Sequence, residues 1–196
     1  LVLPFAIPLS LEIDEVLRLW LRNPPEGVNV LCIWMMAVLV LENMTTGHWI
    51  AIGANGNITW YQTVVGACFI ATLPIAWIMM RCGLGINSVG YSLFLTLVMV
   101  AVVRVTSAKY LLNLLPINWI RDVFTPILVT IVLSSTLGYL PQIFMAPSFM
   151  RILVTTLVVE IFLSLLIMLY VLDSSEREFI KSKVKKTIVK IGRCNG

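Results

Sequence analysis

The chain has 196 residues, 59% of them hydrophobic and 12% charged, with a mean hydropathy of +0.96. Soluble domains run at about 45–50% apolar and about 25% charged, so this composition excludes a disordered chain, a disulfide scaffold and an ordinary soluble enzyme. The net charge of +4 resides at one end: residues 173–196 hold seven of the basic residues and three of the acids, and the rest of the chain is balanced. A basic tail beside an apolar body belongs next to a membrane rather than to a nucleic-acid surface, and no nucleic-acid partner is expected.

Residues 1–11 are already apolar and carry neither a positive leading segment nor a small-residue cleavage site. They read as the end of a spanning helix, with part of the functional unit preceding it. Five further apolar runs follow, at about 28–52, 58–80, 86–103, 119–140 and 151–172. Each approaches the roughly 20 residues that a helix needs to cross a hydrocarbon core. None alternates with period two, which argues against a membrane β-barrel. The expected fold is therefore all-α: a polytopic transmembrane bundle over 1–172, with about five full spans and the end of a sixth, and a basic cytoplasmic tail over 173–196. Turn residues separate the runs, notably Pro24-Pro25-Glu26-Gly27, Asn55-Gly56-Asn57, Gly83-Leu84-Gly85 and Leu115-Pro116. Arg104 to Asn118 reads as the longest connection.

The distribution of basic residues sets the expected orientation. A cytoplasmic C-terminus puts the tail's seven with Arg104, Lys109 and Arg121 inside. Arg18, Arg22, Arg81 and Arg151 then lie outside. In the tail, Ile180, Val184, Ile188 and Ile191 recur at helical spacing between lysines. This reads either as an amphipathic helix on anionic membrane lipids or as a basic tail that only fixes topology.

Polar side chains within the runs are the candidate site, because an acid at mid-bilayer is costly unless it faces a cavity or a partner. Glu42, Asn43, Thr45, Thr46 and His48 crowd the first full run, with Glu42, Thr45 and Thr46 on one helical face. They suggest a substrate or ion pathway, or else a stretch wet at headgroup level. Thr156, Glu160 and Ser164 form a second stripe at i, i+4 and i+8. Glu160 reads as a proton or cation site or, with Thr156 and Ser164, as lining a hydrophilic substrate or ion pathway, or else as the donor of an interhelical hydrogen bond. Pro74 and Pro126 fall inside runs and are candidate kinks. Ala67 and Ala71 form a small-x-x-x-small pair suited to close packing. Cys32, Cys68, Cys82 and Cys194 lack metal or disulfide spacing and read as small hydrophobes. The single histidine excludes a multi-histidine metal site in this chain, and no metal is expected. Asn43-Met-Thr45 and Asn57-Ile-Thr59 match the glycosylation pattern by chance. No nucleophile, phosphate-loop or dinucleotide motif is present, and an enzyme is not expected.

One stretch resembles a known family. Ala54-Asn55-Gly56-Asn57-Ile58-Thr59-Trp60-Tyr61-Gln62, continuing through Val64-Val65-Gly66 to Leu73-Pro74-Ile75, resembles the bacterial O-antigen and polysaccharide flippases. These form the polysaccharide-transport branch of the multidrug/oligosaccharidyl-lipid/polysaccharide exporter superfamily. Leu19-Trp20-Leu21 with Pro24-Pro25-Glu26, and Gly83 with Asn87-Ser88-Val89, look like two further turns of that family. Ala54, Gly56, Ile58, Tyr61 and Gln62 carry the motif. Asn55, Asn57 and Arg22 depart from it.

The resemblance implies the last part of a transporter of fourteen spans in two bundles. It implies a protein of the bacterial inner membrane that flips undecaprenyl-diphosphate-linked oligosaccharide by alternating access. It further implies coupling to H+ or Na+, no other cofactor, and contact with other polysaccharide-assembly proteins of the membrane. A cation-coupled multidrug antiporter of the same superfamily is the alternative. A membrane-embedded glycan polymerase or transferase would need a large catalytic loop that this chain lacks. A non-transporting scaffold would tolerate neutral residues at both Glu42 and Glu160.

Overall fold

A computed structural model describes residues 2–21, 23–56 and 58–171. The chain is all-α, and no strand occurs among the described residues. Five helical segments are long and apolar enough to cross a membrane, so this is a multi-pass membrane protein. The basic tail at 173–196 lies outside the described residues.

Two short helices come first, α1 (Leu3–Leu11) and α2 (Ile13–Leu21). The helical ladder reaches Glu12, whose N–H donates to the Pro8 carbonyl, and resumes where Val16 donates to Glu12. The Leu11 carbonyl between them is taken by the side-chain amide of Gln142 at 2.6 Å. Nine residues at 1.5 Å each give α1 a length of about 14 Å, under half of a bilayer core. Helices α3 (Val28–Ala54), α4 (Thr59–Arg81) and α5 (Asn87–Leu112) follow as long spans. Gly27 precedes α3 at φ +82°, with Ile86 Cγ2 3.1 Å from where a Cβ would stand, so a side chain there would strain the backbone and press on Ile86. Asn113 ends α5 in the left-handed region, a conformation asparagine tolerates at helix ends.

The fourth span is broken into pieces. A turn of helix, α6 (Pro116–Trp119), leads into a π-helical turn at Ile120–Phe124, then α7 (Thr125–Gly138) and α8 (Leu140–Phe144). The fifth is α9 (Phe149–Leu166), capped by Ser148, whose hydroxyl accepts from the Arg151 N–H, and it ends in a π turn at Ile167–Val171.

The five spans and α1 sort into two groups of three. In one, α5 packs along both α3 and α4 around Ile52, Tyr61, Val65, Cys68, Val100 and Ala108. In the other, α1, α7 and α9 pack on one another around Ile7, Val159 and Leu163. Contacts of α1 and α2 with α3 join them, and an apolar cavity of about 470 Å³ lies between α1, α3, α5 and α7. Outward faces carry large apolar side chains such as Phe5, Leu73 and Ile161, as a lipid-facing surface requires.

Several sequence expectations change here. The third span runs to Leu112 rather than Val103, so Arg104 and Lys109 are helical and not part of a connection. Arg104 is eight residues, about 12 Å, from the C-terminal end of a helix about 39 Å long. The fourth span starts at Pro116 rather than Trp119. Pro74 lies within α4, which is helical on both sides of it. Pro126 follows directly on the π turn, where Thr125 Oγ1 donates to the Ile120 carbonyl at 2.8 Å, and the irregularity of this span gathers there. Ala67 is exposed and makes no close seam. The tight approaches are at Gly90 against Trp34, and at Gly138 against Leu11 and Val159. Cys68 is buried, Cys32 is half-buried and Cys82 is exposed.

Candidate functional site

The polar stretch of α3 faces α5, and its centre is an arginine. Arg104 Nη1 donates to Thr45 Oγ1 at 2.8 Å, and Nη2 approaches Glu42 Oε1 at 3.5 Å. The Arg104 side chain is 8% exposed and that of Glu42 45%. Thr45 is buried, and its own proton goes back to the helix carbonyls of Glu42 and Leu41. Arg104 Nε is buried with no hydrogen-bond partner among the described residues. A guanidinium offers five donors, and this one is held at two points with capacity left over.

Local sequence explains the arrangement. Glu42 and Thr45 are three residues apart on α3 and so share a face. On α5, Val100, Ala101, Ser107 and Ala108 flank Arg104 at helical spacing and are buried with it. Small residues there let α5 come close to its neighbours, and the arginine reaches across to the polar face of α3. Thr72 of α4 and Thr96 of α5 add a hydrogen bond of 2.9 Å between the other pair of helices.

The remaining candidates on α3 divide. Thr46 donates to the Glu42 carbonyl, and Asn43 is exposed with its amide on the Leu39 carbonyl, so neither reaches Arg104. His48 stacks edge-on against Trp119 at 5.5 Å. The Trp119 indole N–H donates to the Met44 carbonyl at 3.3 Å, which ties α6 to the polar stretch. His48 also lines a cavity of about 310 Å³ with Met44, Gly47, Leu114, Trp119 and Val123.

The second stripe lies apart from this cluster. Helix α9 packs on α7 and α1, whereas Glu42 faces Arg104 on α5. Glu160 is half-buried and makes no hydrogen bond or ion pair among the described residues. Thr156 donates to the Ile152 carbonyl, and Ser164 is exposed. Val159 and Leu163, one residue before Glu160 and Ser164 respectively, form the packed face instead.

A further polar cluster escaped the sequence reading. Glu12, 0% exposed at its side chain, accepts from Arg151 Nε at 3.1 Å and Nη2 at 2.8 Å through one oxygen. Its other oxygen accepts from Thr155 Oγ1 at 2.9 Å. Arg151 therefore closes a contact between helices rather than lying free in a connection. The signal was present in Arg151 and Thr155, which are four residues apart and so share a face, but Glu12 lies 139 residues away from its partner.

The chain matches no family model, no curated protein and no solved structure.

Of the residues that carry the family resemblance, Ala54, Gly56 and Gln62 are exposed, Ile58 is half-buried and Tyr61 is buried. Asn55 beside them donates through its amide to the Leu111 carbonyl at 3.2 Å, fastening this loop to the end of α5. No group of three or more His, Cys, Asp or Glu side chains able to hold a metal occurs among the described residues.

Proposed function

We propose that this chain is part of a membrane transporter whose cargo is a lipid-linked oligosaccharide, undecaprenyl-diphosphate-linked in the reading that the loop resemblance supports. The observation that carries this is Arg104: a buried guanidinium within a long apolar helix, its Nη1 on Thr45 and its Nη2 3.5 Å from a half-exposed acid. A diphosphate needs hydrogen-bond donors and positive charge where lipid is excluded, and arginine supplies both in a fork that matches phosphate oxygens. Glu42 then has a role compatible with an anionic cargo. It holds the guanidinium when the site is empty and is released, free to take up a coupling cation, when phosphate displaces it.

On this proposal the protein resides in the bacterial inner membrane with its C-terminus cytoplasmic. The bundle formed by this chain moves against the transporter's other bundle in alternating access. The tail binds anionic lipids of the inner leaflet, and other polysaccharide-assembly proteins are neighbours. The test is complementation. Expression of the full protein in bacteria that lack their own O-antigen flippase should restore long-chain polysaccharide at the surface, and Arg104→Gln should abolish that without lowering the amount of protein in the membrane. Full activity of Arg104→Gln sinks the role given to the guanidinium.

A second reading rests on Glu160, a half-buried acid in a span with no ion pair among the described residues. Such an acid suits a cation, as in a multidrug antiporter. Efflux of cationic dyes that is lost in Glu160→Gln, together with failure to complement, selects that reading.

A further inference from the structure

Helix α2 is built unlike every span. Its nine residues include Asp14, Glu15 and Arg18, and charges at that density are too costly for a hydrocarbon core. They gather on one side of the helix. Ile13, Leu17 and Trp20, at i, i+4 and i+7, line the other. The bundle covers only the first part of this apolar face. Ile13 and Leu17 are buried, whereas Trp20 is 79% exposed and Leu19 beside it 59%.

Two contacts fix the level at which α2 sits. The Asp14 carboxylate accepts from the side-chain amide of Asn29, the second residue of α3, at 2.9 Å. Glu12, just before α2, is held by Arg151, the third residue of α9. The chain therefore passes among the spans as α1 and reaches their ends where α2 begins. The same end of the bundle carries an aromatic boundary. Gly27 ahead of α3 lies against Ile86 ahead of α5, and residues 82–86 join α5 to the end of α4. There Trp77 is 59% exposed, with Arg81 Cζ 5.2 Å from its ring centroid. Trp60, at the opposite end of α4, is 67% exposed. Seventeen residues separate these two tryptophans, or about 26 Å of helix, close to the roughly 30 Å of a hydrocarbon core. Exposed tryptophans at such a spacing mark the two lipid–water boundaries, and α2 begins at the boundary of Trp77.

We infer that α2 is an interfacial helix that lies on the bilayer surface, with Trp20 and Leu19 inserted into the lipid headgroup layer. An indole, apolar in body and polar at one tip, suits that layer. Asp14, Glu15 and Arg18 then face water. Lipid is the occupant that this level supplies, because it surrounds the outward faces of the same spans. The grip is apolar: α2 holds two acids and one base, so it does not call for anionic lipid. The Asp14–Asn29 bond and the Glu12–Arg151 contact tie this surface helix to one span of each group, so that α2 sets the depth of both in the membrane.

The test places a nitrobenzoxadiazole label on Trp20→Cys and, separately, on Arg18→Cys. Each is made in the full chain carrying Cys32→Ala, Cys68→Ala, Cys82→Ala and Cys194→Ala, and is reconstituted in phosphatidylcholine nanodiscs. Quenching by a phosphatidylcholine with a doxyl group near its headgroup should be about three- to fivefold greater at position 20 than at 18, as for a face sunk about 5–10 Å into the headgroup boundary. Aqueous iodide should give the reverse order. Leu19→Cys keeps the indole in place and carries the test where Trp20→Cys lowers the yield of folded protein. Adding phosphatidylglycerol should change neither order. Equal iodide quenching at 18 and 20 puts α2 in water and overturns the inference. A label at 20 shielded from both quenchers is covered by protein, which also overturns it, and so does lipid quenching that appears only with phosphatidylglycerol.

Discussion

Arg151 and Arg104 each sit against a glutamate and a threonine, on helices of an apolar bundle, but the two clusters differ in which partner is buried and which is left wanting. At Arg151 the acid is enclosed: Glu12 receives two bonds from the guanidinium and one from Thr155, and both of its oxygens are used. At Arg104 the base is enclosed: the threonine accepts rather than donates, the acid is 3.5 Å away and half-exposed, and Nε is unpartnered. The first arrangement satisfies a charge at the break between α1 and α2 and has nothing left to offer a ligand. The second keeps a buried cation, within a long apolar helix, that is incompletely paired. The same three residue types thus make a structural clasp in one group of helices and a candidate binding site in the other.

The largest effect should come from opening the clasp. Breaking a buried pair by removing one partner costs about 3–5 kcal/mol, so Glu12→Ala should lower stability by that amount in denaturant unfolding in detergent. Glu12→Leu combined with Arg151→Met should recover most of it, because no charge is then left buried. A single-variant loss below about 1 kcal/mol would mean that Arg151 finds water, and the contrast with Arg104 would collapse.

The next effect tests the packing beside the clasp. A Cβ on Gly138 would stand 2.5 Å from Val159 Cγ2 and 2.6 Å from Leu11 Cδ1. Gly138→Ala therefore pushes α7 away from both α9 and α1, and overpacking of this kind costs about 1–3 kcal/mol. Gly90→Ala, where the nearest atoms are Trp34 Cβ at 2.9 Å and Leu31 Cδ1 at 3.3 Å, should cost less, since both approaches are looser than those at Gly138. Thermal unfolding of both variants orders them, and the reverse order would place the tighter seam between α3 and α5.

Spans were legible because a helix in lipid satisfies its own backbone, so a run of apolar residues suffices to find it. Five were found, and so was the polar face of α3 with Glu42 and Thr45. Arg104 was misplaced for the same reason that the spans were found: a charge reads as the end of a run. Its partners, Thr45 and Glu42, lie 59 and 62 residues away, a distance that local hydropathy cannot register. Glu12 was passed over as the residue after an apolar stretch, since its partner lies on the last span. The short pieces of the fourth span were unreadable in detail, because the π turn at Ile120–Phe124 depends on where Thr125 and Trp119 find acceptors. Tyr61 was singled out only through the family resemblance. Its buried, unpartnered hydroxyl is a property of packing between α4 and α5.

A smaller effect compares the α4–α5 contact with the clasp. Thr72 and Thr96 share one neutral hydrogen bond, and such bonds between spans average about 0.6 kcal/mol. Thr72→Val should cost about that in unfolding measurements, and a loss several times larger would make this pair, rather than the Arg104 cluster, the main polar tie within the group.

Glu42→Gln should have the least effect on stability and the most to say about function. A long, half-exposed ion pair contributes about 0.2–0.5 kcal/mol, and Thr45 still accepts from Arg104 after the substitution. The guanidinium keeps its place but loses the neighbouring charge that competes with an incoming anion. Binding of inorganic pyrophosphate to the protein in nanodiscs should therefore strengthen, while cation-driven transport, if Glu42 takes up the coupling ion, should fall. A structural pair would behave otherwise: stability and pyrophosphate binding would both be unmoved or would decline together. Opposite changes in binding and transport at nearly constant stability separate the site at Arg104 from the clasp at Arg151, where no substitution can alter ligand binding without first unfolding the helices it joins.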